Sequence, residues 1–296
     1  MIRTNEKKLA KFKLQGSIMP MKGYGWEVCH DGKPRTLPSV GGIVLNFKVG
    51  DLANMYAADH LEPGVTTTTD ASDSGKAGSR HNVAYNTFSC IGNEALVISG
   101  KAKRAKGRVT GHHGGCEHVL IDFDQKTLEK LSYDDKIEIT SHGCGLEIEG
   151  FEGRVRSYSL SPELLKKMNI KLRSGRLHVG VAAIIPAVVM GSGLGSSDPF
   201  KGDYDIQTSD AETNRKYGLD KLRLGDIVAI MDHDSAFGWS YKKGAVSIGV
   251  VIHGDSMIAG HGPGCQTILT CLGGEIMPAR DANANIGKYL KLGRYR

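Results

Sequence analysis

Eight of the eleven histidines in this 296-residue chain sit in short segments rich in glycine or acidic residues: His60, His112, His113, His118, His142, His233, His253 and His261. Imidazoles and carboxylates are the raw material of metal coordination and of acid–base catalysis. The densest segment is Gly111-His112-His113-Gly114-Gly115-Cys116-Glu117-His118. Neighbours on an extended backbone face opposite ways, so His112 and His113 share a site only if the glycines bend the chain. His118 could join one of them after the turn. Nitrogen and thiolate donors of this kind suit a borderline ion such as zinc, although the spacing matches no standard zinc motif.

Three further segments have the same character. In Met231-Asp232-His233-Asp234, strand alternation puts Asp232 and Asp234 on one face with His233 opposite. Two carboxylates so placed could bind a divalent ion, or raise each other's proton affinity and act as acid and base. His253-Gly254-Asp255-Ser256 and Gly260-His261-Gly262-Pro263-Gly264 put acidic and imidazole groups among glycines that allow close backbone approach. Asp59-His60-Leu61-Glu62-Pro63-Gly64 is the fourth, and His81 with Asn82 a weaker fifth. Each alone is as readily a polar turn. Their number points to a site.

The elements that must carry these groups read as strands. Residues 131–142 align residue for residue with 222–233, each running from an acidic turn through an apolar alternation to a terminal histidine. Residues 49–60 form a looser copy. Asp135 and Asp226 lie seven residues before their histidine, and Asp51 lies nine before His60. Other strands are expected in 41–51, 88–99, 119–123, 151–160, 177–190, 245–253 and 265–272. Short helices are expected near 125–131, 162–169 and 210–217, with Asp124, Ser161 and Ser209 as caps and Gly218 as a stop. Residues 1–15 read as a basic arm, and 59–80 as a long polar loop.

Thirty-nine glycines and few aromatics favour a mainly β chain of two β-rich domains, barrels or sandwiches, at 1–160 and 161–296. A net charge of +6 is too small by itself to argue for nucleic acid, and the basic run 101–108 lacks interleaved aromatics. The charged amino terminus is no signal peptide, and no apolar run reaches 18 residues. A cytoplasmic protein without a membrane span is expected, its six cysteines free. Gly191-Ser-Gly-Leu-Gly-Ser196 ends on serine where a dinucleotide fingerprint needs glycine, and no Gly-x-Ser-x-Gly elbow occurs.

Across most of its length the chain resembles an uncharacterised family, the domain of unknown function 4438. The resemblance lies in Asp59-His-Leu-Glu-Pro-Gly64, Gly111-His-His-Gly-Gly-Cys116 and His253-Gly-Asp-Ser-Met-Ile-Ala-Gly-His-Gly-Pro-Gly264. It implies a β-rich protein with no assigned activity. More remotely, residues 200–265 are similar to the acetamidase/formamidase amide hydrolases. Gly202-Asp203-Tyr204-Asp205 resembles their Gly-Asn-Met-Asp run, and the glycine-rich succession 244–264 resembles theirs in order. His261 and Pro263 stand where that family has glycine and acidic residues. The resemblance carries over only Asp205 and Asp255.

The resulting expectation is a metal-assisted hydrolase of a small-molecule amide or related C–N bond, working as a homo-oligomer. A divalent ion (zinc, magnesium or calcium) is expected on His112, His113, His118, Asp232, His233 and His261. Asp205, Asp234 and Asp255 are the expected catalytic carboxylates. The competing expectation is a non-catalytic ligand- or metal-binding protein.

Overall fold

The computed structural model describes residues 2–69, 80–200 and 202–296, and the fold is mainly β. The amino-terminal half is a closed antiparallel barrel of six strands. In spatial order these are Lys11–Ile18, Lys136–His142, Glu94–Val97, Lys106–His113, His118–Asp122 and Gly64–Thr68. Ser17 pairs with Thr68 to close the ring. Period-two alternation explains the closure. Ile137 and Ile139 point inward with Ile18, Val65, Val109, Val119 and Ile121, so branched side chains fill the interior.

The carboxy-terminal half builds a second sheet from Val155–Ser157, Gly264–Cys271, Ser240–Val251, Ile227–Asp234 and Ala183–Pro186. The short strand Tyr204–Asp205 pairs with the start of Gly264–Cys271. Ile170–Arg173, Arg176–Val181 and Ile276–Arg280 form a smaller sheet. A hydrophobic cluster joins the halves, packing Ile91, Leu120 and Leu146 with Ile227, Ile248 and Ile268.

Local chemistry set the helices. Asp124 accepts from Thr127 N at the start of Gln125–Leu128, and Ser161 accepts from Leu164 N before Pro162–Lys167. The cap of Ala211–Tyr217 is Asp210, one residue later than expected, and Gly218 closes it with φ 73°. Helices Arg80–Phe88 and Ile286–Leu290 were not expected. Arg80–Phe88 has little amphipathic signal, because its buried side chains, Asn82, Tyr85 and Asn86, are polar or part-polar.

Two expectations are overturned. The basic arm is largely a barrel stave, Lys11–Ile18, bonded on both sides. The long polar loop 59–80 contains the fully buried strand Gly64–Thr68, whose three threonines satisfy their hydroxyls internally; residues 70–79 lie outside the described residues.

The threefold turn motif has one structural job. Asp135, Asp226 and Asp51 each accept, at 2.9 Å, the backbone N–H three residues earlier, those of Ser132, Arg223 and Lys48. Each carboxylate closes a turn. Only the third copy, which forms no strand, ends on a histidine of the site described next.

Candidate metal centre

Where the amino-terminal barrel meets the second sheet, six donor side chains converge. His60, Asp205 and His261 form one group; His113, Asp203 and His253 form another. Within the first, His60 Nε2 lies 2.9 Å from His261 Nδ1 and 3.2 Å from Asp205 Oδ2, which is 2.8 Å from His261 Nδ1. Within the second, His253 Nε2 is 3.0 Å from Asp203 Oδ2. The His113 and His253 rings lie with centroids 4.2 Å apart, tilted by 31°.

Sequence positions each donor. Asp203 and Asp205 flank Tyr204, so alternation turns both carboxylates to the site. It sends Tyr204 into the core against His233 and Trp239. His113 ends its barrel strand and pairs across the hairpin with His118. His253 follows Ser240–Val251, and His261 lies in the loop entering Gly264–Cys271. His60 has φ 54°, a left-handed conformation held by its N–H bond to the Asp255 carbonyl. Gly264 makes the convergence possible: a Cβ there would lie 2.0 Å from Asp203 Oδ2 and 2.2 Å from His253 Nε2.

An outer ring of acceptors orients the imidazoles. His60 Nδ1 is 2.7 Å from Asp59 Oδ1, His113 Nδ1 is 2.6 Å from Glu62 Oε1, and His253 Nδ1 is 2.8 Å from the Gly254 carbonyl. With each Nδ1 so engaged, the Nε2 is left to coordinate, the arrangement that metal-binding histidines share. Glu62 also takes His118 Nδ1 at 2.9 Å, and the Gly41 N–H and Thr66 hydroxyl donate to its Oε2 at 2.6 Å each. Asp59 accepts from the Ser256 hydroxyl and Asp203 from the Gly114 N–H.

The electrostatics favour a cation. Burial opposes charge on His60, yet the hydrogen bonds its ring donates to Asp205 and Asp59 raise its pKa to about 9. His253 is raised well above its ordinary value despite burial, because Asp203 and Asp205 face it. Asp205 is driven far down against its own burial by His253, His261 and His60. His113 moves the other way: burial and the neighbouring His253 lower it. The donor set fits a metal ion on a further ground. His253 Nε2 and Asp203 Oδ2 are buried and close, but neither makes an aligned hydrogen bond, as expected of lone pairs aimed at a shared ion.

A third grouping, Glu62, His113 and Cys116, suits a metal less well. Burial and Glu62 push the Cys116 thiol well above its ordinary pKa, so it stays protonated, and Glu62 is already saturated by four donors.

The expected site residues divide. His113, His261 and Asp205 stand in the inner set, and His118 stands behind it on Glu62. His112 points the opposite way from His113, its ring nitrogens on the Ser89 and Phe200 carbonyls and Gln266, and burial lowers its pKa to about 4. Asp232, His233 and Asp234 do not line the pocket described below. The strand bulges between Met231 and His233, with Asp232 at φ 55°, so the expected alternation breaks. Asp232 binds the Gly244 N–H, Asp234 the Ala236 N–H, and His233 is buried on Tyr204. The Asp255 carboxylate takes the Thr208 hydroxyl and Ser256 N–H, supporting the His60 loop rather than the donor set. His60, Glu62, Asp203 and His253 complete the centre. His60, Glu62 and His253 lie in segments marked by their residue types, Asp203 in one quoted only for a resemblance, and the missing signal was which side of each turn faces inward.

A pocket of about 640 Å³ opens onto the donors. His60, His113, Asp203, Asp205 and His261 line its floor side, with Ser192, Ser196, Ser197, Asp198 and Trp239 around them.

Family models for the domain of unknown function DUF4438 match residues 26–166 (N-terminal domain) and 167–290 (C-terminal domain). The chain belongs to the DUF4438 family. A solved structure described as "Crystal structure of TM1086" has the same fold, with a TM-score of 0.90 and 43% identity over 97% of this chain and 99% of that one. No curated protein matches. The candidate centre draws on both DUF4438 halves: His60, Glu62 and His113 come from the N-terminal match, and Asp203, Asp205, His253 and His261 from the C-terminal one. Among the described residues, no helix is long and apolar enough to cross a membrane.

Proposed function

We propose that this cluster is a divalent metal centre and that the protein is a metal-assisted hydrolase of a small polar amide or related C–N bond. The observation that carries the reading is the ring of outer acceptors that turns the Nε2 atoms of His60, His113 and His253 toward Asp203 and Asp205 at the pocket floor. Four imidazoles and two carboxylates favour zinc or a similar first-row ion over magnesium or calcium, which prefer all-oxygen shells. A divalent ion there would polarise a carbonyl and make water acidic enough to attack it near neutral pH.

The protein's own groups supply binding and proton transfer. The pocket wall offers the hydroxyls of Ser192, Ser196 and Ser197 to an amide. Asp205 belongs to the donor set. Asp234 and Asp255 do not line the pocket, which leaves them no part in the chemistry. Asp198, a half-buried wall carboxylate outside the donor set, would take the proton from the attacking water and return it to the leaving nitrogen as the C–N bond breaks.

The test is elemental analysis of untagged protein, followed by a panel of small primary amides assayed with metal-loaded and metal-stripped protein. A retained first-row ion and metal-dependent release of ammonia are expected, and Asp198→Asn should lower kcat without loss of metal. Protein that retains no ion under any loading condition sinks the metal reading. Loaded protein inert toward the whole panel sinks the amide reading.

A further inference from the structure

We propose that the centre holds two divalent ions, bridged by Asp205, rather than one. The inference rests on the metal-centre reading above and deepens it. The six inner donors sort into two triads that share no residue. His60, His261 and Asp205 keep their donor atoms within 3.2 Å of one another. His113, Asp203 and His253 keep theirs within 4.8 Å, and no such group contains all six. An ion with bonds of about 2.0–2.2 Å holds every ligand within about 4.4 Å of every other, because two opposite ligands are at most two bond lengths apart. At these positions one ion therefore cannot bond all six donors.

Asp205 reaches across the gap. Its Oδ2 belongs to the first triad, while Oδ1 lies 3.5 Å from His253 Nε2 in the second. A carboxylate whose two oxygens face two donor sets is placed to bridge ions about 3.5–4 Å apart, the separation found in two-metal hydrolytic sites.

Charge points the same way. Asp203 and Asp205 in the donor set and Asp59 and Glu62 behind it are all nearly inaccessible to solvent. Two divalent ions match those four carboxylates in charge. His253 Nε2 and Asp203 Oδ2, 3.0 Å apart without an aligned hydrogen bond, both belong to the second triad, where an ion would take both.

Metal-stripped full-length protein would be reloaded with Mn²⁺, desalted, and examined by elemental analysis and electron paramagnetic resonance. The expected result is two ions per chain with a spin-coupled multiline spectrum. His261→Ala should retain one ion and give an uncoupled six-line signal. One ion per chain at saturation, with a six-line spectrum from the unaltered protein, overturns the two-ion inference and leaves the metal centre standing. No ion at all overturns both. If His261→Ala fails to fold, as judged by circular dichroism, the stoichiometry and spectrum of the unaltered protein decide alone.

Discussion

Gly264→Ala is the sharpest probe of the centre, because it alters no donor. Gly264 opens the strand Gly264–Cys271, and its backbone is not left-handed, so alanine carries no conformational penalty there. The added Cβ would instead sit 2.0 Å from Asp203 Oδ2 and 2.2 Å from His253 Nε2, where ordinary contact is about 3.4 Å or more. Both donors must retreat by more than 1 Å. Misdirecting one ligand through a lost outer partner typically weakens metal binding about 10–100-fold, so moving two inner donors should cost at least about 100-fold, or about 2.7 kcal/mol. Overpacking adds about 1–3 kcal/mol of instability that does not depend on metal. Thermal denaturation of stripped and reloaded protein separates the two effects. At a metal concentration 100 times the wild-type Kd, wild type gains about 2.7 kcal/mol; a variant 100-fold weaker gains only about 0.4 kcal/mol. The part of the metal-dependent rise in Tm that comes from the ion on His113, Asp203 and His253 should therefore nearly vanish in Gly264→Ala, leaving only what the His60, Asp205 and His261 triad contributes. A variant whose Tm rises with metal as much as wild type would refute the placement of the ion between Asp203 and His253.

Other outcomes follow from the same geometry. Glu62→Gln keeps the shape of a side chain that orients His113 and His118 but removes its charge; metal affinity measured against a competing chelator should fall about 10–100-fold, and unchanged affinity would remove Glu62 from the outer ring. Asp135→Ala deletes a turn-closing acceptor far from the donors. Chemical denaturation should show a loss of about 1–2 kcal/mol with metal content intact, and lost metal would mean the turn motif does more than close turns. His233 is buried and its pKa is lowered by that burial from 6.5 to about 4, Asp234 opposing only in part. The unfolded chain therefore takes up this proton first as pH falls, and stability is full above about 6.5 and drains away down to about 4, by about 3 kcal/mol in all. His233→Phe, which keeps the stack on Tyr204, should flatten that part of the pH–stability curve; an unaltered acid limb would show that His233 does not contribute to it.

How much was readable in advance differs between fold and site. Alternation exposed the stave Lys136–His142 and the strand Ile227–Asp234, and capping chemistry exposed Gln125–Leu128 and Pro162–Lys167. The buried strand Gly64–Thr68 was hidden because threonines read as loop when their hydroxyl partners are unknown; here Glu62, Asn82 and the Val119 carbonyl supply them. Arg80–Phe88 was hidden for the related reason that its inward face is asparagine and tyrosine.

At the site, residue types near glycine marked the segments of all four inner histidines, because imidazole and flexible backbone are chemical properties of the chain itself, whereas the Asp203–Asp205 segment was singled out only by resemblance. Which atoms meet was decided only by tertiary structure. His113 and His112 differ by one position, yet barrel pairing sends one to Asp203 and His253 and the other to backbone carbonyls. A left-handed residue at Asp232 turns a plausible carboxylate pair into turn ligands, and one at His60 brings a histidine 201 positions away within 2.9 Å of His261. Local sequence specifies side chains and their period. The direction in which each points across two packed sheets depends on register, bulges and closure, which long-range pairing alone determines.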